Sequence, residues 1–147
     1  MNENNPKSKK RSLTSTERIL AVLFGFGFIL GFILTPLGVE TRMPELRTLV
    51  FAGYFIIVGL LMPLAGLVLL WMRRPKFAGV IGVINATLMF ITPPADQALV
   101  FFTVSPPPAV TLGEYILIFL GVGYILYGQR AYLEKPTIDA QSRETLE

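Results

Sequence analysis

The run ILAVLFGFGFILGFILTPLGV, Ile19–Val39, carries no charged side chain. A membrane-spanning helix needs about 20 apolar residues rising about 1.5 Å each, and this run supplies them without interruption. Three more runs follow. Thr48 to Met72 is equally free of charge, and Phe77 to Ala95 reaches span length only by including Thr92, Pro93 and Pro94. The last extends from about Leu112 to about Tyr132, broken by Glu114 near its start and by Gln129 and Arg130 near its end. Hydrocarbon offers no water to bond to a peptide group, so each run reads as a helix whose backbone satisfies itself. The fold expected is an all-α membrane protein with four transmembrane helices in two antiparallel hairpins.

The charges outside these runs set the expected orientation. Of the 13 Lys and Arg residues, all but Arg42 and Arg47 belong to the N-terminal segment, the connection after the second run, or the C-terminal segment. Arg42 and Arg47 are accompanied by Glu40 and Glu45, and the connection after the third run has no base at all. Because Lys and Arg are retained on the cytoplasmic side, both termini are expected there, in the cell membrane. Lys7, Lys9, Lys10 and Arg11 resemble the start of a secretory signal, but the apolar run that follows is long and no small-x-small cleavage pattern succeeds it, so it should remain as an anchor. The organisation expected is a basic tail at 1–13, a bundle at 14–133 and a polar tail at 134–147. Its helices fall at about 15–38, 44–72, 75–92 and 112–132, with an outer loop at 93–111.

Helix-start chemistry agrees with these boundaries. Thr14-Ser15-Thr16-Glu17 and Thr111-Leu112-Gly113-Glu114 both fit the T-x-x-E capping box, in which the Thr hydroxyl and the Glu carboxylate each accept from the other residue's backbone N–H. Pro44 and Pro75 stand where the second and third helices should begin, since a first-turn N–H needs no intrahelical partner. Pro63 falls inside the second run and should kink it. A faint repeat relates the first and third helices, aligning Ala21 with Ala78, Gly25 with Gly82, Thr35 with Thr92 and Pro36 with Pro93.

Composition removes whole classes of chemistry. The chain is 52% hydrophobic and 16% charged with a mean hydropathy of +0.58, far from soluble usage. With no Cys and no His there is no thiolate nucleophile, no thiolate metal site, no imidazole ligand and no group that shuttles protons near neutral pH. The isoelectric point near 9.4 does not argue for nucleic acid, because the basic residues gather at span edges without interleaved aromatics. No cofactor and no metal are expected.

A few residues stand out against this background. Gly27 and Gly31 form GxxxG on the first helix, and Ala78, Gly82 and Ala86 repeat small residues every four positions on the third, patterns that let helix backbones approach closely. Phe24, Phe28 and Phe32 read as packing or lipid-facing bulk. Asn85 is the strongest polar residue at mid-membrane depth, with Thr87 beside it, and a carboxamide in hydrocarbon needs a partner. By depth, Tyr124 and Tyr54 are within its reach. Glu114, a carboxylate near the membrane interior, reads as a capping group in the first turn of the fourth helix. In the outer loop, Ala98 to Val104 is apolar but too short to span. Its Leu99, Phe101 and Phe102 are the candidate contacts to a partner, with Ser105 to Pro108 a stiff extended connector.

The residues thus point to a multi-pass protein without catalysis, an accessory or structural subunit of a membrane complex. It would contact the lipid bilayer and either a membrane-protein partner or further copies of itself, with no nucleic acid. The alternative is a small oligomeric transporter or channel, in which Asn85 would touch solute.

Overall fold

The computed structural model describes residues 13–40, 51–100 and 108–134. Among these residues the chain is all-helical, with four helices long and apolar enough to cross a membrane. They are α1 (Ser15–Glu40), α2 (Ala52–Trp71), α3 (Pro75–Val100) and α4 (Pro108–Leu133).

α1 begins as its sequence dictates. The backbone N–H of Thr14 donates to a Glu17 carboxylate oxygen at 2.9 Å, and that of Glu17 donates to the Thr14 hydroxyl at 3.2 Å, which is the reciprocal capping box. The Glu134 carboxylate, just beyond α4, accepts from the hydroxyls of Thr16 and, at 3.4 Å, Thr14. Its negative charge therefore lies at the positive end of the α1 dipole.

The interior of α2 departs from a regular α-helix over Ile57–Leu61, where the turn widens to a π-helix. Pro63 accounts for the position. It has no N–H to return to the carbonyl of Gly59, four residues earlier, and a wider turn is one way to accommodate the interruption. α2 then ends in a Schellman motif: Arg73 adopts φ 56°, its N–H donates to Leu70 O at 3.0 Å, and that of Arg74 donates to Leu69 O at 2.8 Å. Pro75 follows as the first residue of α3, and the Arg74 carbonyl already accepts from the N–H of Ala78 at 3.1 Å.

Two boundaries differ from the sequence reading. α3 continues past residue 92, through Pro93 and Pro94, to Val100. The prolines remove the donors that would have met the carbonyls of Met89 and Phe90, but their fixed φ is helical, so the chain can keep its course. α4 starts at Pro108, where an extended connector and then a cap at Thr111 were expected. Proline is pre-organised for a first turn, and this earlier start places Thr111 and Glu114 within the helix, after its first residues. Pro44 lies outside the described residues.

Phe24 sits where the four helices meet. Its ring is fully buried, fills the space left by the missing side chain of Gly66 on α2, lies 3.4 Å from where a Cβ on Gly82 of α3 would be, and packs on Tyr124 of α4 with centroids 4.9 Å apart. Val22, Phe26, Ile29 and Ile33, at alternate steps of four, three and four on α1, are exposed and form the outward apolar side of the same helix.

Candidate functional site

The polar groups held within the apolar bundle are the first place to look for function, because hydrocarbon penalises any that lack a partner. Asn85 is fully buried, and neither its carboxamide oxygen nor its nitrogen has a hydrogen-bond partner among the described residues. Both expected partners are engaged elsewhere. The Tyr124 hydroxyl donates across to the Leu23 carbonyl of α1 at 3.2 Å. The Tyr54 hydroxyl reaches the Leu88 carbonyl and lies 2.6 Å from the Thr92 hydroxyl, joining α2 to α3. A tyrosine ring is long, so its hydroxyl lands well away from the depth of its own Cα; depth along the chain was therefore a poor guide to these pairings.

Thr92 also donates to Leu88 O, one turn back, at 3.2 Å, and only 4% of it is exposed. Asn85, Leu88 and Thr92 follow at three and four positions, so one face of α3 carries this polar line from the middle of the bundle toward the end away from Pro75. Thr87 does not belong to it. It is exposed and satisfies itself on the Val83 carbonyl at 3.0 Å, a usual recourse of a hydroxyl within a helix. Glu114 is half-buried within α4. Leu99 lies in the last turn of α3, while Phe101 and Phe102 lie outside the described residues.

The small residues singled out in the sequence all face inward. A Cβ on Gly27 would overlap the Tyr124 hydroxyl and come within 3.1 Å of Leu120, while one on Gly31 would overlap the backbone of Gly59. Ala78 and Ala86 are fully buried, and Gly82 receives Phe24 and Tyr124. Sequence reasoning missed the tightest approach of α3 to α4. There Gly79 and Gly128 meet backbone to backbone, each lying where the other's side chain would be, and a Cβ on Gly121 would be 3.7 Å from the Ala86 Cα. Gly79 and Ala86 are seven apart, as are Gly121 and Gly128, so two antiparallel helices meet at both places in one register. That shared spacing was the signal available in the sequence.

At the opposite interface, Arg130 lies 5.4 Å from the centroid of the Tyr127 ring, and Trp71 is 85% exposed beside Arg73 and Arg74, as anchors in the membrane interface are. An apolar groove of about 280 Å³ opens between α3 and α4 above the Gly79 and Gly128 contact.

Chemically, the interior offers neutral hydrogen-bonding groups and tight glycine contacts. No family model matches the chain, and no curated protein or solved structure is found to be similar to it.

Proposed function

We propose that this multi-pass membrane protein is a noncatalytic accessory or structural subunit of a membrane complex, with α1–α2 and α3–α4 as its two hairpins and both termini in the cytoplasm. The observation that carries this reading is the closed centre of the bundle: Phe24, Tyr124 and Asn85 are all fully buried where the helices converge. A centre packed in this way is suited to being a rigid unit rather than a path for solute. The contact of Thr14 and Thr16 with Glu134 supports having the two ends at one face, and the excess of Lys and Arg there supports the cytoplasmic side of the cell membrane.

One specific observation favours the alternative, a small oligomeric transporter or channel. Asn85 has both polar atoms unpaired, and a solute or water could satisfy them if the bundle opened.

The deciding experiment is gentle detergent extraction of the tagged chain from its native membrane, followed by native mass and identification of what copurifies. A stoichiometric heteromeric complex is the expected result. A self-contained homo-oligomer whose solute flux falls in Asn85→Leu would overturn the accessory reading in favour of the alternative. Since the chain has no Cys, single cysteines placed at Gln129 and at Thr48 allow the orientation to be read by impermeant labelling.

A further inference from the structure

We infer that the groove between α3 and α4 is a binding site for one acyl chain of an anionic phospholipid, with Lys76 meeting its headgroup. The floor of the groove is the contact of Gly79 with Gly128, where the absence of both side chains lets the two backbones touch. Val80, Val83, Ile84 and Tyr132 form its walls. A furrow of about 280 Å³ with a wholly apolar lining suits a flexible hydrocarbon chain. A partner helix, about 10–12 Å across, is too broad to enter it.

The charge at its end selects the lipid. Gly79, Val80, Val83 and Ile84 lie three, four, seven and eight positions after Lys76, so helical spacing puts Lys76 on the stripe of α3 that carries the groove, one turn before its first lining residue. Lys76 is exposed, in the first turn of α3, directly after Arg73 and Arg74 in the same connection. A chain lying in the groove with its headgroup at the membrane surface thus brings its phosphate within reach of Lys76. The outcome is a lipid held by shape along its tail and by charge at its head.

The inference rests on the chain spanning a membrane but is independent of the accessory role, because the test uses the isolated full-length protein. The chain is purified in detergent and offered equal amounts of phosphatidylglycerol and phosphatidylcholine with the same acyl chains, and retained lipid is read by native mass spectrometry. One retained lipid per chain is expected, with phosphatidylglycerol preferred about fivefold, the effect of one cation near the headgroup. Lys76→Gln should bring the two lipids to near parity while keeping the tail bound, and Val80→Trp, which fills the groove from its lipid-facing side, should release both. Equal retention of the two lipids by the unaltered chain would overturn the proposal. So would an undiminished preference in Lys76→Gln, retention of lipid in Val80→Trp, or a dimer in place of the lipid adduct.

Discussion

The carbonyl oxygen of Gly59 on α2 occupies the space into which a side chain at Gly31 on α1 would project. In the reverse direction a Cβ on Gly59 would lie 3.1 Å from the Gly31 Cα and 3.2 Å from the Thr35 hydroxyl oxygen. The contact falls within the π-helical segment and at the carbonyl that Pro63 leaves without its usual donor. Helix irregularity and helix crossing thus coincide, and the buried Gly59 carbonyl faces the Cα of a glycine, where a weak Cα–H contact is available to it.

Gly31→Ala should therefore destabilise the bundle by about 1–3 kcal/mol, because the obstacle is backbone and only a separation of α1 from α2 relieves it. Gly25→Ala, on the same helix with open space around it, should be neutral or gain up to about 1 kcal/mol from helix propensity. Unfolding of both variants in mixed micelles compares them directly. Equal stability would mean that the crossing is not as close as described.

Asn85→Leu should stabilise the protein. Leu has the same branching and side-chain heavy-atom count as Asn, and replacing a buried carboxamide that lacks partners removes a desolvation cost of about 1–3 kcal/mol. A clear loss of stability would show that Asn85 is hydrogen-bonded in the membrane, to water or through a rearranged Tyr124. Hydrogen exchange and thermal melting of the variant distinguish the cases.

Arg73 holds the left-handed conformation that ends α2, which costs a non-glycine residue about 1 kcal/mol or more. Arg73→Gly should recover roughly 0.5–1 kcal/mol, with Arg73→Asn gaining less. Arg74 and Lys76 remain to hold the connection in place. A fall in melting temperature for the glycine variant would count against the Schellman assignment.

Thr14→Ala removes one half of the capping box and one contact to Glu134, and should cost about 1 kcal/mol. Thr14→Ser keeps both hydroxyl contacts and should be close to unaltered. The pair is best read by amide exchange in the first turn of α1, where fraying would appear before any global change.

Much of this architecture was legible along the chain. The four apolar runs, the capping box at Thr14 and Glu17 and the start of α3 at Pro75 depend on local composition and backbone sterics, which a sequence displays directly. At Pro63, where a kink was expected, the described feature is a π-helical segment just before the proline. The passage of α3 through Pro93 and Pro94 was not legible, because a proline pair reads as a stop although its φ also fits a helix. The start of α4 at Pro108 was hidden for the same reason.

The partners of the polar side chains were out of reach. Asn85 could be placed at mid-depth, but its neighbours follow from the rotation of four helices about their own axes. In a soluble protein an amphipathic stripe reports that rotation; in lipid the inner and outer faces are both apolar, and the stripe fades. The repeat illustrates the gap: Gly25 and Gly82 align in sequence, yet Gly25 faces open space while Gly82 receives the Phe24 ring. Sequence alone determined how many segments are long and apolar enough to cross a membrane, because that depends on length and charge. Tertiary structure decided that Gly31 meets Gly59, that Gly79 meets Gly128 and that Asn85 is left unpaired, because those depend on which faces of the helices come together.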